Sequence, residues 1–108
     1  MMDELTAAAS VALVVYRELE EDYVGLWVIP WQIRRAIPRA SDEMVREVSI
    51  PILLALLENG ISIGDLNGEM GLFEPWQTDE PIERVLAGWH ALGRDPNIGE
   101  IAWLARTF

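Results

Sequence analysis

The sequence predicts an α+β domain that is mainly helical. Three to four helices surround a kinked central helix, with a small antiparallel β-hairpin or sheet, in a winged-helix-like order of elements. Three observations carry this expectation. Across 48–57 only Ser49 is polar, and a helix apolar on every side belongs in the middle of a domain. Before it, apolar residues recur at helical spacing in two further segments. After Gly60 the pattern shortens to apolar runs on either side of Asn67-Gly68, a hairpin-turn dipeptide.

Residues 1–108 are read as a single domain. A chain of this length buries about 60–70% of the surface its unfolded form exposes, enough for a core without cross-links. The apolar share of 51% excludes disorder. There is no cysteine, hence no disulfide frame, no thiolate nucleophile and no cysteine metal site. A cytoplasmic, bacterial-type protein is the simplest setting. The net charge is −10, and all eight basic residues are arginine. Such a surface repels phosphate backbones and favours either plain solubility or a basic partner. The apolar stretch 7–16 follows Asp3 and Glu4, where a secretory signal would carry positive charge. The stretch 48–57 is about half the length of a bilayer span. No membrane segment is expected.

Asp3 caps a first helix whose Leu5, Ala9, Ala12, Tyr16 and Leu19 make a stripe, with Leu13 beside it. Glu18, Glu20, Glu21 and Asp22 come where this helix ends. Carboxylates there oppose the macrodipole at roughly a few tenths of a kcal/mol each, so the helix stops near Glu20 and Asp22 caps the next. Leu26, Ile29, Ile33 and Ile37 form the next stripe, interrupted by Gly25 and Pro30. The segment is either a kinked helix or an extended lead-in to a short helix begun at Pro30. Pro38 ends it. Ser41 caps the central helix, Asp42 and Glu43 suit its first turn, Pro51 kinks it near Glu47, and Asn59-Gly60 stops it.

Residues 61–63 and 72–74 read as strands joined by a turn at Asn67-Gly68; Gly64 and Gly71 leave a bulged loop as the alternative. Thr78-Asp79-Glu80-Pro81 opens a helix with Ile82, Val85, Leu86, Trp89 and Leu92 on its buried face, Gly93 at its stop, and Glu80 paired with Arg84 outside. In the tail, alternation of Ile101, Trp103 and Ala105 suggests a strand joining the hairpin; a last helical turn from Pro96 is the alternative.

No Gly-rich phosphate loop, metalloprotease helix motif or nucleophile elbow is present. No catalytic residue, metal-ligand set or cofactor is therefore expected. His90 is the single histidine and reads as a packed, half-exposed residue beside Leu86. An enzymatic role would need a pocket gathering His90 with Glu or Asp. Arg34, Arg35, Arg39 and Arg46 cluster in sequence and could touch phosphates. The presumed reading helix, however, offers only Arg46 among Glu43, Glu47 and Glu58, and the wing carries Asp65, Glu69 and Glu74. Nucleic-acid binding is not favoured. Most of the five tryptophans are expected in the core. Trp27 and Trp31, near the acidic run, are the candidates to anchor a partner.

Gly25-Leu26-Trp27, Gly64-Asp65-Leu66, Pro75-Trp76 and the run from Trp89 through His90, Gly93, Asp95-Pro96-Asn97 and Ile98 to Trp103 resemble small acidic bacterial proteins of actinobacterial type. The resemblance spans most of the chain from Tyr23 onward. It implies no activity, cofactor or site residue.

The leading expectation is a non-enzymatic protein-binding module, immunity-protein or antitoxin-like. It would meet a basic protein partner through Glu18, Glu20, Glu21, Asp22, Trp27 and Trp31. The alternatives are a winged-helix-like transcription regulator using Arg34, Arg35, Arg39 and Arg46, and a small-molecule enzyme using His90. If the first helix lies at the surface, Val11, Leu13, Val14 and Val15 leave enough apolar area for a homodimer.

Overall fold

The computed structural model describes residues 3–107. In chain order they form α1 (Glu4–Glu18), β1 (Val24–Gly25), α2 (Val28–Ala36), α3 (Asp42–Glu58), β2 (Ile61–Leu66), β3 (Phe73–Pro75), α4 (Pro81–Leu92) and β4 (Trp103–Arg106). This is the expected α+β class: four helices beside one antiparallel sheet among the described residues. None of these helices is long and apolar enough to cross a membrane.

Two helix starts follow directly from side-chain chemistry. The Asp3 carboxylate accepts from the Thr6 backbone N–H at 2.7 Å, which also holds its carboxyl below the usual range. Ser41 Oγ accepts from the Met44 N–H at 3.1 Å. Asp22 does not cap a helix. Its carboxylate takes the N–H of Tyr23, and the chain runs extended through β1 before α2 begins at Val28. Trp27 is the N-cap of α2 and contributes no side-chain bond. The extended lead-in is therefore the correct alternative for this segment. Its short helix starts slightly before Pro30, which fits inside the first turn because the N–H it lacks has no helical partner there.

The core is one cluster in which α3 contributes Val45, Val48, Ile52, Leu53 and Leu56, and α1 contributes Ala7, Ala8, Val11 and Val15. Two expectations fail at this level. The buried side of α1 is only partly the expected stripe: Leu19 is buried and Ala12 and Tyr16 pack against the core, but Leu5 is 82% exposed, Ala9 is exposed, and Val11 and Val15 point inward instead. Nor is α3 wrapped on all sides, since Leu54 is 48% exposed and Ile50 also reaches solvent. Both errors have one cause. A helix rich in apolar residues on every side carries no moment to say which side faces in, so its neighbours decide. The helix continues through Pro51, and Ser49, wholly buried, hydrogen-bonds the Val45 carbonyl at 2.8 Å.

The sheet order is β1-β4-β2-β3, with every neighbouring pair antiparallel. The tail is thus a strand, and it lies inside the sheet, between β1 and β2. Leu104, fully buried, sits between Val24 and Ile63, and Trp103 sits between Gly25 and Gly64. The β2–β3 connection is not a two-residue turn. Asn67 closes a longer loop, taking the N–H groups of Glu69 and Met70 on its side chain and bonding Leu72 and Gly71 through its backbone. Gly71 adopts a φ of 66° there.

On α4 only Val85 and Trp89 are fully buried; Ile82, Leu86 and Leu92 are half-buried. Glu80 and Arg84 do not pair. Arg84 lies 3.8 Å from the centroid of the Trp76 ring, and Glu80 lies against Glu83, whose carboxyl is pushed upward by that neighbour. Of the tryptophans only Trp89 is fully buried; Trp27, Trp76 and Trp103 are half-buried.

Gly64 lets β3 approach β2 closely. A Cβ there would collide with the Glu74 carbonyl and come within 2.8 Å of Pro75 Cα, both backbone atoms that cannot swing away. Gly64→Ala is predicted to destabilise the fold by about 2 kcal/mol or more. Urea unfolding of the variant beside wild type measures it, and an unchanged midpoint would show that β3 can shift without loss.

Candidate functional site

A depression of about 590 Å³ lies between α2 and the segment that follows α4. Its lining includes Trp27, Trp31, Arg34, Asp95, Asn97 and Ile98. Trp27 and Trp31 are one helical turn apart, so their rings share a face of α2. The ring centroids are 6.3 Å apart in an edge-on arrangement. Gly25 lets the Trp27 indole lie back over β1, because a Cβ at that position would come within 2.6 Å of Trp27 Cδ1. Trp31 is 49% exposed and carries the Arg35 guanidinium 4.8 Å from its ring centroid.

The opposite wall is held in place by charge. Arg34 donates to both Asp95 carboxylate oxygens, at 2.7 Å through Nε and 3.3 Å through Nη2. It also donates to Asp42 at 2.8 Å and to the Ala40 carbonyl at 3.3 Å. The Asp95 bond is the largest cause holding the guanidinium above its ordinary pKa. One side chain therefore ties α2, the start of α3 and the segment after α4 together. Beyond Asp95 the loop is stapled internally. Arg94 makes a two-pronged pair with Glu100 at 2.7 and 2.9 Å, and Glu100 also takes the Asn97 N–H at 2.7 Å. These bonds, the Arg94 pair first, bring the Glu100 carboxyl down to about 2. Gly99 and then Ile101 adopt left-handed backbone, with φ of 81° and 67°. For β-branched Ile101 this conformation is strained by roughly 1–3 kcal/mol. The turn leaves Ile98 71% exposed at the rim of the groove.

Trp27 and Trp31 are the only residues of the expected partner-binding set that line this groove. Glu18, Glu20, Glu21 and Asp22 are exposed around the end of α1, away from it, and Glu20 lies 3.7 Å from Arg106. The four arginines proposed for phosphate contact do not gather. Arg34 is engaged with two carboxylates, Arg35 covers Trp31, Arg39 is exposed in the turn before α3, and Arg46 faces α4. His90 is exposed beside Glu43, Glu47 and Arg46 in a shallow depression of about 260 Å³ between α3 and α4. No hydrogen bond or ion pair joins it to either carboxylate. Among the described residues no group of three or more His, Cys, Asp or Glu side chains is placed to hold a metal ion.

Asp95, Asn97 and Ile98 were not legible as site residues. Their Asp-Pro-Asn run signals a turn, and nothing local shows that the turn docks on an arginine 61 residues away in sequence.

The Glu100 staple titrates in a defined window. Its folded-state value lies below the ordinary 4.5, so the folded chain favours the ionised form. The resulting stabilisation is present above the ordinary value and is lost as pH falls through about 2. The Glu100 carboxyl carbon, followed by NMR, is predicted to titrate near that lower value and to move upward in Arg94→Gln. A wild-type midpoint at the ordinary value would show that the staple is open in solution.

The chain matches no protein-family model, no curated protein and no solved structure.

Proposed function

We propose that this chain is a non-enzymatic protein-binding module, immunity-protein or antitoxin-like in mode, whose groove between α2 and the 95–98 segment receives an apolar side chain of a basic protein partner. The observation that carries the reading is that Trp31, half-exposed, and Ile98, largely exposed, line one depression. Tryptophan in a concave, partly desolvated setting is a frequent anchor of interfaces. The groove's own charges already neutralise each other through Arg34 and Asp95, so apolar contact there does not strand a charge. The surrounding net charge of −10 would steer a positively charged partner toward the module and raise its association rate at low salt. A cytoplasmic setting belongs to this reading.

Duplex DNA is the weaker alternative. The element order up to β3 suits a winged helix, but Arg34 and Arg35 are already engaged within the chain.

Immobilised wild-type protein is expected to retain a specific basic protein from the native host. Trp31→Ala should weaken that binding by about 2 kcal/mol, some thirtyfold, with a smaller loss for Ile98→Ala. Both positions are exposed, so the fold should survive. Equal recovery by wild type and both variants would remove the groove from the interface.

A further inference from the structure

A furrow runs between α1 and α3, away from the groove. Ala8 and Pro51 share one depression along it, of about 320 Å³, and Ala12 and Ala55 share the next, of about 280 Å³. Residue numbers rise together on the two helices, so they lie side by side in the same direction. The floor is shallow because alanine recurs at helical spacing on α1 and meets short side chains on α3. Exposed Leu5 and half-exposed Leu13 stand along the α1 lip.

Charge enters this furrow with one sign. Glu4 and Glu47 flank the end beside Ala8 and Pro51, and the lining of the two depressions contains no basic residue. Both carboxylates are exposed, and neither forms an ion pair with another described residue.

These features select one kind of occupant. A floor of small residues between two packed helices accepts the side-chain ridge of a third. A helix also satisfies its own backbone, whereas an extended segment would lie against two helices that offer no strand edge to pair with. An occupant without cations would take Glu4 and Glu47 out of water with nothing in return. A second copy of the chain does not supply those cations from its own furrow, which carries the same two carboxylates.

We propose that the α1–α3 furrow binds a basic amphipathic helix of another protein. Its apolar side chains lie over Ala8, Ala12 and Ala55, and its arginine or lysine residues reach Glu4 and Glu47. From Glu4 to Tyr16 the furrow is about 18 Å long, which three turns of helix cover. It shares no lining residue with the groove between α2 and the 95–98 segment, so this inference does not rest on the function proposed for that groove.

Fluorescence anisotropy at low salt tests the proposal with three labelled synthetic peptides of about fifteen residues, built of leucine and alanine at helical spacing. They differ only in the last turn, which carries arginines, glutamines or glutamates. The arginine peptide is expected to bind about fivefold more tightly than the glutamine peptide, as two rim ion pairs would give, and the glutamate peptide most weakly. The double variant Glu4→Gln, Glu47→Gln should erase that preference while circular dichroism shows an intact fold. Leu13→Asp should weaken all three peptides tenfold or more. Absence of binding by the arginine peptide, equal binding of all three, or indifference to Leu13→Asp would overturn the proposal. A wild type that dimerises in sedimentation and thereby excludes the peptide would overturn it in favour of a second copy.

Discussion

The architecture depends on the pairing of β4 along both of its edges. The last strand of the chain enters the sheet between β1 and β2, and through it the two-residue β1 and the β2–β3 hairpin become parts of one layer. Without that insertion β1 would have no partner, and Leu104, Val24 and Ile63 would not meet over the core. The same insertion decides where the preceding loop lies. Once Trp103 is fixed opposite Gly25, residues 95–98 pass over α2 at the height where Arg34 can hold Asp95.

The groove is therefore a consequence of topology supported by electrostatics. Arg34 joins three segments through charge-assisted bonds, and the Arg94–Glu100 pair shapes the loop beyond them. These pairs are partly exposed, so each contributes modest stability; their larger effect is to hold walls whose apolar parts stay open. Ile101 accepts a left-handed backbone, and its side chain packs over Gly88, where an added Cβ would lie 3.3 Å from Ile101 Cγ2. A β-branched residue holds such a conformation only where its surroundings over-determine it. The paired strand on one side and the stapled loop on the other provide that constraint.

The two apolar surfaces of this molecule have different characters. The groove is concave, aromatic and internally neutral, which suits the insertion of one or a few side chains of a partner. The α1–α3 furrow is lined by aliphatic side chains together with Tyr16, Asn59, Glu4 and Glu47.

Local physical chemistry determined a good deal from the residues alone. The caps at Asp3 and Ser41, the stop at Gly93, the strand character of the tail and the α+β class all rest on interactions within a few residues or on simple periodicity. Trp27 and Trp31 could be marked by their nearness to the acidic run, although the structure brings the two rings together in a groove that those acids do not line. What the residues could not decide were choices among equivalent sides and distant partners. Either side of α1 could have turned inward, since Leu5, Val11, Leu13 and Val15 are all apolar, and packing against α2 and α3 chose Val11 and Val15. Arg34 could have met phosphate or carboxylate; only the docking of Asp95, many residues away, selected between them. Long-range pairing is set by the sheet register and by which surfaces meet, and neither is encoded in any short window of the chain.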